Sequence, residues 1–545
     1  MARQTQTRSR GRIAVTAFVA AAVAIVCLGS TSQAVPLGSG SLLPDVSAGL
    51  HLGGSAAPPA QLNATTHAQT GTNPGQGGTK LPGPITTTQA QTGSNPGQGG
   101  TKVPGPITTS HAQTGSNPGQ GGTKVPGPIK VLPTAKLVNN QTYVNLAIAT
   151  IHASQRAAWE QGVTVQALLE WQYPDWTTYD APGPSSFQAG SGGASSNRHG
   201  RTDFPQDVVL QAMRSVVAQD SNGRLGAKVT GDENPAGGSS LDASSNLESV
   251  LLAAYASGQI SGSANTLDTN AVFGKAAETQ YTFMTQNVMR GAGGILSQRM
   301  DQLQYWADTF YMSQPALAAF GLYTRNADAL EEAYTQVKLY LDKLLYPAES
   351  GSKTGLVGHI RNEDGSWADP AVWVTGQGWA ALGMLRVVAA LAQSGTLSDS
   401  TKSNIVDLLQ WTSALLSSVH ATFDSSASLW HNYVDDASTF HDISGSLALS
   451  AATYRLALLA PGLVNATSLS NAEAVYKRVI PHLNSFGQFG DGLQCVDALG
   501  FDKPGFTSVE ALSFGILLEA ARRDYGKAES GQKTALMRTI GGLLV

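Results

Sequence analysis

Residues 303–315, read as LQYWADTFYMSQP, set four aromatic rings and a methionine around one carboxylate, Asp308. An apolar surrounding disfavours ionisation, so a carboxyl among such rings can serve as a proton donor near neutral pH. Aromatic walls also suit the face of a sugar ring. A helix start follows: Ser313 can cap, Pro315 fits a first turn, and ALAAF continues at 316–320. Asp308 is therefore expected at a rim, just before a helix. The plainer alternative is a helix-terminal Asp that only favours the dipole.

Four further segments follow in order. They are His359-Ile360-Arg361, the WVTGQGW run at 373–379, the LWHNYVD run at 429–435 and the ISGS run at 443–446. Trp373 and Trp379 could stack on a sugar or belong to the core. The two glycines before Trp379, Gly376 and Gly378, allow close backbone approach.

Taken with the Asp308 segment, this ordered set resembles the unsaturated glycuronyl hydrolases, six-hairpin glycosidases that include the unsaturated rhamnogalacturonyl hydrolases (glycoside hydrolase families 88 and 105). The resemblance runs from about residue 140 to the end of the chain. It implies an all-α (α/α)6 toroid and a second carboxylate on an earlier hairpin. Asp242 in SLDASSNL at 240–247 matches that position best, with Asp232 the runner-up. Against Asp242 stands the reading that it is an N-terminal cap, which Ser245 or Asn246 could already supply. His359 corresponds to a substrate-contacting histidine, and Trp306 to part of the aromatic wall. The rhamnogalacturonyl branch carries an Arg where Thr375 stands. A bidentate Arg cannot be replaced by Thr without losing the charge match to a substrate carboxylate. Arg361 could compensate, or the sugar could be a different one.

The chemistry implied by the resemblance is hydration of the C4=C5 double bond of a terminal unsaturated uronide, with Asp308 as proton donor and no metal or cofactor. Two alternatives stay open: a glycosidase on the same scaffold acting on a saturated sugar, and a non-catalytic carbohydrate-binding wall protein. No Gly-x-Ser-x-Gly elbow or His-Glu-x-x-His pair occurs. The GAGG run at 291–294 lacks a phosphate-binding pattern.

The elements that must hold these groups begin after residue 136. Residues 1–34 read as a secretory signal, with Arg3, Arg8, Arg10 and Arg12, an apolar run from Ile13 to Leu28, and Ser32-Gln33-Ala34 as cleavage site. The apolar run is short of the ~20 residues that span a membrane comfortably, so no stable insertion is expected. Loss of those four Arg, with no acidic residue lost, takes the net charge from −4 to −8 and leaves no basic stripe for a nucleic acid. Cys27 lies in the leader, so Cys495 remains alone and is expected to be a buried apolar residue. Residues 35–136 hold a 22-residue repeat beginning at Ala68, Ala90 and Ala112. Its units carry almost no large apolar residues and cannot repay the entropy of ordering. They are expected to form a disordered spacer, or a tether to cell-wall or matrix polysaccharide.

Residues 137–545 are expected to form the catalytic domain. Its residues from 141 to 171 have helical periodicity, as do the Leu247-Val250-Leu251-Ala254 and Leu330-Ala333-Tyr334-Val337 sets. About twelve helical segments are expected, with no convincing set of strands. Two concentric helix rings would bury the Ala/Leu faces, and the loops at one end would form a funnel. Residues 181–242 fit poorly, apart from a helix near 207–217, and read as a rim loop.

Overall fold

The computed structural model describes residues 140–179, 204–230, 238–261, 265–395, 397–497 and 500–544. The leader, the repeats and Asp232 lie outside the described residues. Among the described residues the chain forms thirteen helices longer than one turn: α1 Asn140–Ser154, α2 Ala158–Gln172, α3 Gln206–Val217, α4 Leu247–Ala256, α5 Val272–Thr282, α6 Gln314–Thr324, α7 Ala327–Leu344, α8 Val374–Ala392, α9 Asp399–His420, α10 Ile443–Leu459, α11 Ala466–Val479, α12 Val509–Glu529 and α13 Ala535–Leu543.

The even-numbered helices contact one another in succession from α2 to α12, and α12 returns to α2. That closes an inner ring. Each odd-numbered helix from α1 to α11 packs outside it against an even-numbered one. The two rings are the six-hairpin toroid expected from the sequence, and burial shows why each helix takes its place. Helices α8 and α10 are buried along their whole length, as an inner helix contacted on all sides must be. Helix α7 buries Ala329, Ala333, Val337, Tyr340 and Leu344, one stripe at three- and four-residue spacing, and turns its charges outward. Helix α8 is long and apolar enough to cross a membrane, but its apolar surface is spent inside the ring.

Small residues let the inner helices approach. A Cβ on Gly445 would lie 2.6 Å from the Thr375 nitrogen, and one on Gly383 would lie 2.0 Å from the Phe310 carbonyl oxygen. The ring's interior is bridged by buried ion pairs. Arg386 of α8 donates to Glu248 of α4, passing over the intervening α6. Arg455 of α10 meets Glu170 of α2 at 2.7 Å and Asp524 of α12 at 2.9 Å.

Two expectations are corrected and one is refined. The helical periodicity at 141–171 resolves into two helices, Asn140–Ser154 and Ala158–Gln172. It breaks at residues 155–157, where the Glu160 carboxylate accepts from the backbone nitrogens of Arg156 and Ala157 and starts α2 afresh. Ser313 makes no capping bond, because a single helical turn, Thr309–Met312, runs directly into α6. Short strands also exist. Strands β3 Gln304–Trp306, β4 Ile360–Asn362 and β5 Trp367–Asp369 form an antiparallel sheet in the order β3-β4-β5. Strands β6 Cys495–Asp497 and β7 Gly500–Gly505 form a hairpin, and β1 Ile260–Ser261 and β2 Thr266–Leu267 form another. They lie in the connections between helices, where no long alternating pattern announces them. Cys495 is in no disulfide among the described residues and is buried, as expected.

Candidate active site

The inner helices alternate with outer ones and so run in one direction. Their N-terminal ends gather at the same end of the toroid, and the polar residues of the site sit there. Asp308 precedes the turn that leads into α6. Its carboxylate makes no capping bond, so it is not there to close a helix. The Trp306–Ile360 pairing of β3 and β4 continues into a bond from the Ala307 nitrogen to the His359 carbonyl at 2.9 Å. That ladder brings Asp308 beside His359.

His359 is 1% exposed. Its Nδ1 lies 2.7 Å from Asp369 Oδ2, and its Nε2 lies 3.7 Å from Asp308 Oδ2. The first distance is a hydrogen bond; the second is too long for one. Asp369 thus accepts from Nδ1 and turns Nε2 toward Asp308. Burial alone would depress the imidazole, but the two carboxylates outweigh it and hold His359 above its ordinary value of 6.5. Asp369 is drawn the other way. Burial pushes it up, while bonds from His359, the Ala371 nitrogen and the Tyr433 hydroxyl hold it below the usual carboxylate range. Asp308 and Asp369 keep 19% and 16% of their side-chain surface exposed, so solvent reaches both. Aromatic rings enclose the imidazole: Trp373 at 4.7 Å, Phe501 at 4.5 Å and Trp306 at 6.1 Å between centroids.

Asp242 opens a short turn ahead of α4. Its Oδ1 accepts from Gln298 Nε2 at 2.7 Å, and the Oε1 of the same glutamine accepts from Thr309 Oγ1 at 2.7 Å. Gln298 therefore ties Asp242 to the residue that follows Asp308. Neither residue offered as a substitute cap makes a capping bond: Ser245 donates to the Asp242 carbonyl, and Asn246 donates its amide to the Ala158 carbonyl.

Three side chains read as substrate contacts are engaged elsewhere. Thr375 is fully buried and donates to Asp442 Oδ2 at 2.6 Å. Trp379 is 1% exposed and packs on Tyr311 and Phe514. Arg361 donates to the Gly365 and Lys343 carbonyls and lies over the Trp367 ring at 4.9 Å. Trp373 is 4% exposed and donates to Asn432, so its contact is with His359. Trp306, donating to Gln304, is the half-buried tryptophan of the set.

A second layer of carboxyls lies beneath. Asp442 caps α10 and also accepts from the Val496 nitrogen, and its burial outweighs these donors and raises it. Glu510, in the first turn of α12, is pushed well above the carboxylate range by burial and then by the negative fields of Asp442, Asp308 and Glu160.

Asp369, Gln298, Phe501 and Glu510 were not found from sequence. A signal for Asp369 existed. The Asp364-Gly365 pair is a hairpin-turn dipeptide, and Gly365 has the positive φ of 88° that such a turn needs. That hairpin places Asp369 beside His359. The other three are brought in by helix packing and loop closure, with no local pattern.

The family model described as Glycosyl Hydrolase Family 88 matches residues 206–512, which include Asp242, Asp308, His359 and Asp369. Among the solved structures that are similar are two from enteric bacteria. One is a possible member of the GH105 family from Salmonella enterica, with 15% identity and a TM-score of 0.51, covering 74% of this chain and 100% of that one. The other is a possible GH105 member from Klebsiella pneumoniae, with 13% identity and a TM-score of 0.51, covering 75% of this chain and 100% of that one. At such identities the likeness speaks to the fold alone. No curated protein matches the chain. Since the family model spans more than half the sequence and the whole of the carboxylate–histidine cluster, the chain belongs to Glycosyl Hydrolase Family 88 and is a glycoside hydrolase acting on an oligosaccharide.

Proposed function

We propose that the enzyme removes a terminal unsaturated uronide from pectin-derived oligosaccharides by hydrating its C4=C5 double bond, and that it does so outside the cell. One observation carries the reading. Asp308 Oδ2 and His359 Nε2 are buried, lie 3.7 Å apart and have no hydrogen-bond partner. A water about 2.8 Å from each oxygen and nitrogen would satisfy both. Asp308 in its acid form donates a proton to C4. The water adds at C5 and returns a proton to the Asp308 carboxylate, with His359 holding the water. The C5 hemiketal then opens, C1 becomes a hemiacetal that still carries the leaving sugar, and its collapse to the aldehyde releases that sugar. Asp242, tied through Gln298 to Thr309, holds the sugar ring on the opposite side.

Extracellular action rests on the secretory signal read in residues 1–34, and the repeats at 35–136 would serve as spacer or wall tether.

A second reading, ordinary hydrolysis of a saturated sugar, is favoured by one observation. Thr375 is bound to Asp442, and the Arg361 guanidinium is spent on backbone carbonyls. Neither supplies a charge to a uronate. Turnover in heavy water separates the two. Hydration places one solvent deuteron on C4, seen as a one-mass-unit gain in the uronide product when the reaction is quenched early, before the C4 hydrogens, which lie beside the new C5 carbonyl, exchange by enolisation. Release of sugar without that label would overturn the hydration reading.

A further inference from the structure

Away from the Asp308–His359 pair, the described residues hold one cluster with metal-ligating chemistry. Asp424, His431 and His441 each offer one ligand atom, and these atoms lie within 4.8 Å of one another. His431 and His441 face each other across an antiparallel bridge with rings stacked at 4.1 Å. Asp424 Oδ2 lies 2.8 Å from His441 Nε2 and 3.9 Å from His431 Nε2. Tetrahedral bonds of about 2.0–2.1 Å put neighbouring ligand atoms about 3.3 Å apart, and the two observed distances straddle that value.

The residues behind these ligands are already set. His431 Nδ1 lies 2.8 Å from the Thr439 carbonyl, to which it donates, so the lone pair is left on Nε2, the atom turned to Asp424. Asp424 Oδ1 accepts from the Ser426 hydroxyl at 2.6 Å and the Ser426 nitrogen at 2.8 Å, which leaves Oδ2 for the histidines. A fixed imidazole tautomer and a carboxylate braced by its own turn are the supports that metal ligands ordinarily have. The side chains are 17–32% exposed, so an ion and a water can enter. Arg478 lines the same depression, but it donates to the Asp491 carbonyl.

We propose that Asp424, His431 and His441 form a structural site for a divalent ion of the zinc class, completed by water. Two imidazoles and one carboxylate suit zinc or its transition-metal neighbours rather than magnesium or calcium. The ion would pin both ends of the loop between His431 and His441. That loop serves the active site. Asn432 accepts from Trp373 and donates to the Phe501 carbonyl, Tyr433 reaches Asp369, and Asp442 holds Thr375.

The test uses the full chain stripped with chelator and then titrated with Zn²⁺, read by equilibrium dialysis and by Tm. One equivalent should bind and raise Tm, and Mg²⁺ should do neither. Co²⁺ at the site should give the visible bands of a low-coordinate ion. Asp424→Asn, His431→Gln and His441→Gln should each lose the Zn²⁺-dependent rise, with circular dichroism verifying that each variant is folded. His152→Ala, on the distant helix α1, should keep it. Binding that persists unchanged in all three site variants, or no Tm response in the wild type, overturns the proposal. Asp424→Asn keeps the turn's shape, so it remains informative if a histidine variant fails to fold.

Discussion

At the residue scale, the direction of the His359 ring depends on Asp369. An imidazole lined by three aromatic rings would have no reason to face Asp308 unless its other nitrogen were held, and the 2.7 Å bond to Asp369 does that. The two carboxylates stabilise the imidazolium, so removing one must lower the folded-state pKa of His359. Asp369→Asn is therefore expected to move the His359 titration downward, measured by NMR of the ring protons, and to reduce kcat more than it raises KM. General acid–base groups contribute about 10²–10⁴-fold, and the loss should fall toward the low end because His359 itself remains. An unmoved titration would mean that Asp308 alone sets the imidazole's charge. The Asp308 segment stands out in sequence because its aromatic residues are contiguous in the chain. Asp369 has only the Asp364-Gly365 turn as a signal, because its place beside His359 exists only when β4 and β5 pair.

At the element scale, the twelve ring helices were legible from their periodicity, and the inner and outer rings differ in how far round each helix is apolar. The short strands were not, since three-residue strands carry too little alternation to be read. Yet the β3-β4-β5 sheet is what joins Asp308, His359 and Asp369. The close crossing of α8 and α10 depends on Gly445. A methyl there would meet the Thr375 nitrogen at 2.6 Å and Val374 Cγ1 at 2.5 Å. Overpacking of this kind costs about 1–3 kcal/mol. Gly445→Ala is expected to lower stability in urea unfolding by that amount and to weaken activity by displacing Thr375 and Asp442. A variant as stable as wild type would mean that α10 shifts freely against α8.

At the scale of the whole molecule, the toroid separates its work between two places. Its N-terminal end carries Asp308, Asp242 and His359, while the interior is tied across by Arg386–Glu248 and by Arg455 with Glu170 and Asp524. Such ties are invisible to any local reading, since Arg386 and Glu248 stand 138 residues apart. Removing one partner of a buried pair leaves an uncompensated charge and costs about 3–5 kcal/mol, whereas replacing both with apolar side chains costs much less. Glu248→Ala should therefore be strongly destabilised in chemical unfolding, and Glu248→Leu combined with Arg386→Met should recover most of the loss. A double variant no better than the single one would assign the pair a role beyond charge neutralisation.

The most direct measurement is the ultraviolet absorbance of the conjugated enol-ether uronate during incubation with lyase-digested pectin, with wild type and Asp308→Asn side by side. Hydration destroys the chromophore, so absorbance is expected to decline with wild type and stay level with Asp308→Asn, which should still bind the oligosaccharide. A level trace from both would contradict hydration of pectin-derived uronides, and an equal decline from both would remove Asp308 from the centre of the chemistry.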